Sequence, residues 1–101
     1  LIARAGDAMY YGEGIYLEDI RLEDEKLRMK FPPRPYTYAL NIRVTDVATG
    51  DDVARLDLAS VRLSGWSFAK LSRKCSEVLA EVRIEGALAF QGLVSQQTLF
   101  G

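Results

Sequence analysis

In the run Tyr36-Thr37-Tyr38-Ala39-Leu40-Asn41-Ile42-Arg43-Val44, the residues Tyr36, Tyr38, Leu40, Ile42 and Val44 occupy one phase and Thr37, Ala39, Asn41 and Arg43 the other. A period of two sends one row of side chains into a core and the other toward water, as a half-buried antiparallel strand requires. The aromatic and β-branched content of the apolar row agrees with that pattern. No other stretch of the chain alternates so cleanly, and the flanking segments take their places around it.

After this strand, Asp46-Val47-Ala48-Thr49-Gly50-Asp51-Asp52 reads as a hairpin turn in which Gly50 supplies a positive φ. Val53 to Leu63 returns as the next strand. Leu56 and Leu58 share one phase and Val61 and Leu63 the other, which places a bulge near Ala59-Ser60. Ser64-Gly65-Trp66-Ser67 break the strand, and a serine here suits a helix cap. Phe68, Leu71, Cys75, Val78, Leu79 and Val82 then fall at helical spacing and predict an amphipathic helix of about four turns. The outer face of that helix runs from Lys70, Arg73 and Lys74 to Glu77 and Glu81. Basic residues first and acidic residues last oppose the macrodipole, so the packed face holds the segment, and Glu23-Asp24-Glu25 offers its basic end an internal partner. The helix is expected to end near Ile84. Residues 83–94 satisfy both periodicities. Gly86 and Gly92 disfavour one long helix, leaving a fifth strand or a second short helix over 87–94 and a loosely ordered tail over 95–101.

On the other side, three prolines in Pro32-Pro33-Arg34-Pro35 forbid helix and read as a connection, with a PxxP ligand as the lesser reading. Leu27, Met29 and Phe31 alternate along a strand that Glu23-Asp24-Glu25 joins to a preceding one, Gly14 to Leu22. In that preceding strand Ile15 and Leu17 share one phase and Ile20 and Leu22 the other, predicting a bulge near Glu18-Asp19. Residues 1–13 form an N-terminal arm. The fold expected is therefore α+β: one domain over residues 1–101, a curved antiparallel meander of about four strands packed on one C-terminal amphipathic helix.

Composition narrows the chemistry. The 101 residues carry 13 Lys and Arg against 14 Asp and Glu, a net charge of −1, with 49% hydrophobic residues. The first half holds the excess of acid and the second a slight excess of base, too mild a division to imply a polyanionic partner. No histidine is present, which removes the Ser-His and Cys-His nucleophile systems and the usual zinc sites. The single cysteine, Cys75, forms no internal disulfide, and its place on an apolar stripe reads as core. No apolar run reaches the length of a membrane span. Carboxylates cluster at Glu18, Asp19, Glu23, Asp24 and Glu25 and around Gly50, without the order of an EF-hand loop. Ser67 near Lys70 suggests a Ser-Lys dyad, but a helix cap is the plainer role. Gly12-Glu13-Gly14 lacks the third glycine of a dinucleotide fingerprint. Tyr36, Tyr38, Arg34 and Arg43 have the ingredients of a stacking face for nucleic acid, yet the tyrosines share the core phase and the net charge is negative.

Catalytic, metal and cofactor sites are thus expected to be absent. The leading expectation is a non-catalytic protein-binding or assembly module, self-associating as a homodimer across the Tyr36–Val44 sheet or the tail, with Tyr10, Tyr11, Leu99 and Phe100 as partner-binding residues. The alternative is a small-ligand carrier whose apolar pocket, between sheet and helix, is lined by Phe31, Tyr36, Tyr38 and Trp66. No nucleic acid and no membrane span are expected. The absence of disulfides favours a cytoplasmic location over a processed envelope protein.

Overall fold

The computed structural model describes residues 9–11 and 15–96, with side chains from Leu17 onward. Among these residues there are nine strands and no helix: β1 (Met9–Tyr11), β2 (Ile15–Leu17), β3 (Asp19–Glu23), β4 (Lys26–Phe31), β5 (Thr37–Asp46), β6 (Asp52–Arg62), β7 (Gly65–Lys70), β8 (Glu77–Ile84) and β9 (Ala87–Ser95). A three-stranded sheet in the order β3-β4-β7 and a four-stranded sheet in the order β6-β5-β8-β9 carry most of the chain, and β1 and β2 pair as a small ribbon. Every strand pairing is antiparallel. The inward rows of the two larger sheets meet in one core. Ile20, Leu22, Leu27, Met29, Phe31 and Ala69 come from the first sheet, and Leu40, Ile42, Val44, Val78, Val82, Ile84, Phe90 and Val94 from the second. Two sheets that each bury one face against the other make a sandwich.

This corrects the α+β expectation: the span 68–84 read as a C-terminal helix holds no helix. Phe68 belongs to β7, residues 71–76 connect the two sheets, and Val78 begins the inward row of β8. In β8 Val78, Ala80, Val82 and Ile84 are buried, a strict period of two, while Leu79 faces solvent. The misreading has a physical source. Val78 and Val82 stand four apart, a spacing that one helix face and one strand face share. The discriminating residue between them is Ala80, too small to register as core, and outward Leu79 completed a false helical stripe. The segment left open beyond Ile84 is a β-hairpin. Glu85 and Gly86 form its two-residue turn, with φ of 54° and 82°, and Ile84 pairs with Ala87. Positive φ at both central positions matches the right-handed twist of the flanking strands.

The slips in phase are real but of two kinds. At Glu18 the chain changes partner: β2 ends, β3 begins beside β4, and the Glu18 amide donates to the Lys30 carbonyl at 2.7 Å. At Ala59-Ser60 a bulge interrupts β6, with Leu58 opposite Leu40 and Val61 opposite Tyr38. Further shifts in register leave Val53 of β6 and Ala89 of β9 without a direct partner. Gly50 adopts φ of 80° in the β5–β6 turn. The opening strand holds from Thr37, but its apolar row does not start at Tyr36, which lies before β5 and is 69% exposed. The row runs instead through half-buried Tyr38 and buried Leu40, Ile42 and Val44 to Asp46, a carboxylate at a core position.

Candidate binding face on the three-stranded sheet

The phase of β4 is fixed by its core row. Leu27, Met29 and Phe31 are fully buried, so Lys26, Arg28 and Lys30 must face out. Antiparallel pairing then fixes β7: Lys26 lies opposite Lys70, Arg28 opposite Phe68 and Lys30 opposite Trp66, while Leu27 meets Ala69, Met29 meets Ser67 and Phe31 meets Gly65. The outcome inverts the usual polarity of a strand. Its small residues, Gly65, Ser67 and Ala69, turn toward the core, where the side chains of β4 fill the space. Its two large aromatics, Trp66 and Phe68, turn toward water and are 40% and 61% exposed.

On the outer side of β3, Asp19 stands opposite Lys30, Arg21 opposite Arg28 and Glu23 opposite Lys26. The face therefore holds two aromatic rings, five cations (Arg21, Lys26, Arg28, Lys30 and Lys70) and two carboxylates (Asp19 and Glu23). The cations gather on the rings. The Arg28 guanidinium lies 4.5 Å from the Trp66 centroid, that of Arg21 5.6 Å and the Lys30 ammonium 5.9 Å, and the Lys26 ammonium lies 5.5 Å from the Phe68 centroid. All lie within the range in which a cation is drawn to the ring quadrupole. Arg21 and Arg28 also pair with Asp19 and Glu23, each at 2.9 Å. The charge balance of the whole chain conceals this local excess of base.

The second concentration of polar groups lies at the end of β5 and does a structural job. Asp46 is 6% exposed. Nη2 of Arg73 donates to Oδ2 of Asp46 at 3.0 Å, to Oγ1 of Thr49 at 2.8 Å and to Oδ2 of Asp51 at 3.2 Å, while the Ala48 amide donates to Oδ1 of Asp46 at 3.1 Å. One guanidinium thus ties the β5–β6 turn to the connection between β7 and β8. Its hydrogen bond holds the Asp46 carboxyl below the usual carboxylate range, and Asp46 and Asp51 in turn raise the Arg73 value. Burial, then the charge of Asp46, pushes the Cys75 thiol up, and Sγ donates to the Arg73 carbonyl at 3.6 Å. A protonated, buried thiol is no nucleophile.

The outer face of the four-stranded sheet holds a shallow depression of about 210 Å³ lined by Arg43, Arg55, Asp57, Glu81 and Arg83 among others. Its charges largely answer one another: Arg83 pairs with Glu81 at 3.4 Å, Arg43 with Asp52 at 3.5 Å, and Asn41 donates to Asp57 at 2.6 Å.

The structure disperses several residues that the sequence grouped. Phe31 is in the core and Trp66 is on the outer face of the same sheet, Tyr36 is exposed, and Tyr38 lies at the margin of the other sheet. The four do not line one cavity. Ser67 and Lys70 sit on opposite faces of β7, so no dyad forms. Of the basic residues Lys70, Arg73 and Lys74, Arg73 pairs with Asp46 and Asp51 rather than with the Glu23-Asp24-Glu25 turn. Tyr10 and Tyr11 fall on β1, where only the backbone is described, and Leu99 and Phe100 lie outside the described residues. β5 is flanked by β6 and β8, so neither of its edges is open to a second chain. Among the described residues no group of three His, Cys, Asp or Glu converges as a metal site, and no helix is long and apolar enough to cross a membrane. Sequence reading missed Phe68 and the β4 cations as a surface. The outward row Lys26, Arg28 and Lys30 was legible from its alternation with the core row, but pairing with β7 was not.

Comparison with protein-family models, curated proteins and solved structures finds no significant match.

Proposed function

We propose that the protein is a non-catalytic binding module whose contact surface is the outer face of β3, β4 and β7. The observation that carries this reading is the outward pair Trp66 and Phe68, with four cations of β3 and β4 between 4.5 and 5.9 Å from their ring centroids. Two large rings on a flat solvent-facing surface, beside an excess of positive charge, are the residue types that anchor partners in recognition surfaces. The polar clusters elsewhere are occupied: Arg73 in a clamp, Cys75 in the core, and the carboxylates of the second sheet in ion pairs or hydrogen bonds. Self-association through this face is disfavoured, because a two-fold contact would set the cations of one copy against those of the other.

A photo-crosslinking residue in place of Phe68, and in a second variant in place of Leu93, tests the assignment in cells of the protein's own host. Leu93 is 54% exposed on the opposite face of the molecule and serves as the control. Crosslinks concentrated at position 68 support the face. Crosslinks at position 93 with none at 68 refute it.

A further inference from the structure

We infer that the occupant of this face is a single strand of nucleic acid, with bases stacked on Trp66 and Phe68 and phosphates along the lysines of β4 and β7; this rests on the reading of the face as the binding surface. Two parallel tracks carry it. On β7 the rings of Trp66 and Phe68 share the outward phase two residues apart, a repeat of about 6.6 Å along a strand. On β4, Lys26, Arg28 and Lys30 follow the same repeat, directly opposite Lys70, Phe68 and Trp66. A single strand presents the complement of these tracks, a line of flat bases beside a line of phosphates, and aromatic stacking accepts any base. An acidic polypeptide answers the cations but meets the rings only where its sequence places aromatic side chains at alternate positions, whereas every nucleotide carries a base.

The division of labour among the cations is also readable. Arg21 and Arg28 are engaged by Asp19 and Glu23 and brace the indole. Lys26, Lys30 and Lys70 have no carboxylate within ion-pair distance among the described residues and are the groups left to meet phosphates. The carboxylates of β3 repel a polyanion and confine it to the β4–β7 side of the face. The net charge of −1 does not oppose this, because at physiological salt a phosphate senses charges within about 8 Å and not the molecular total.

The test is a titration of the whole chain with a fluorescein-labelled oligothymidine of about twelve nucleotides, read by anisotropy and by emission of Trp66, the single tryptophan. Binding is expected with quenching of Trp66. Its affinity should fall with salt along a double-logarithmic slope near −2, about −0.7 for each of three lysines. Trp66→Ala and Phe68→Ala should each weaken binding at least about fivefold, and Lys30→Gln should flatten the slope by about 0.7. Arg43→Gln on the opposite sheet should change nothing. A thermal unfolding curve confirms that each variant is folded. Absence of binding by the folded wild-type chain at low salt overturns the inference, as does binding insensitive to both aromatic substitutions. Poly-glutamate, titrated in parallel, separates the two readings. If it quenches Trp66 where the oligonucleotide does not, the face is real and its partner is an acidic polypeptide. If neither binds and position 68 yields no crosslinks, the face itself is refuted.

Discussion

Asp46 shows what one residue decides. It occupies an inward position of β5 where the alternation calls for an apolar side chain, and it is tolerated because Arg73 and the Ala48 amide satisfy its oxygens. Its carboxyl is held below the 3.8 of an unperturbed aspartate, so the folded state favours the ionised form. The resulting stability is complete above about pH 5, where the unfolded carboxyl is also ionised, and is lost as pH falls through the lower folded value. Chemical denaturation from pH 7 down to pH 2 should therefore show wild type exceeding Asp46→Asn at neutral pH and the gap closing in acid; a gap independent of pH would exclude the Arg73 interaction as its source. This residue was half legible. The run Asp46–Asp52 announces a hairpin, but Asp46 ends β5 rather than opening the turn, its partner lies 27 positions away, and no local pattern announces a contact of that range.

β7 is where the reading at the level of elements failed, and the reason is general. Gly65, Ser67 and Ala69 alternate with Trp66, Phe68 and Lys70. Period alone identifies such a strand but not which row faces inward, since the sign depends on what its neighbour has already placed in the core. Leu27, Met29 and Phe31 fill that space, so β7 contributes small residues. Propensity, weighing rings as core, assigned Phe68 to a buried stripe. A pair of substitutions distinguishes the two arrangements. Phe68→Thr, at an exposed strand position, should change stability by less than about 1 kcal/mol. Ala69→Leu, directed into a filled core at 3% exposure, should cost about 1–3 kcal/mol. Urea denaturation of both variants measures this, and the reverse order would restore the helical assignment. The strands β4 and β5 and the bulge at Ala59-Ser60 were legible because their inward rows consist of large side chains; β8 was not, because Ala80 is small and Leu79 faces water.

At the scale of the whole molecule, strands adjacent in space are often distant in sequence: β4 pairs with β7 and β5 with β8. Closing such long loops before any pairing stabilises them slows folding, and a sandwich of this kind is expected to fold in milliseconds to seconds. The same topology grades its stability. β5 and β8 are paired on both edges and bury alternate residues throughout, while β6 has one open edge and an exposed stretch from Asp57 to Ser60. Native-state hydrogen exchange should find the amides of β5 and β8 opening only with global unfolding and those of β6 around Ser60 opening earlier. Uniform protection across the two sheets would contradict this order. Chain order could not supply the topology, since the crossings between sheets at residues 32–36, 63–64 and 71–76 leave no periodic trace.

The bulges in β6 bear on whether its open edge can recruit another chain. A strand of eleven residues with one open edge is a template on which another chain can add, and repetition of that addition yields filaments. Ala59-Ser60 against the single residue Ala39, and unpaired Val53 near the other end, bend the strand at two points, so that an incoming chain meets only a short straight ladder. Deleting Ser60 would restore unbroken alternation from Leu56 through Val61 and straighten the edge. The deletion variant should remain folded, as judged by circular dichroism, yet nucleate thioflavin-positive fibrils under agitation at concentrations where the parent chain stays clear. The irregularity that looks like a fault in the strand shortens the straight ladder on which polymerisation would begin.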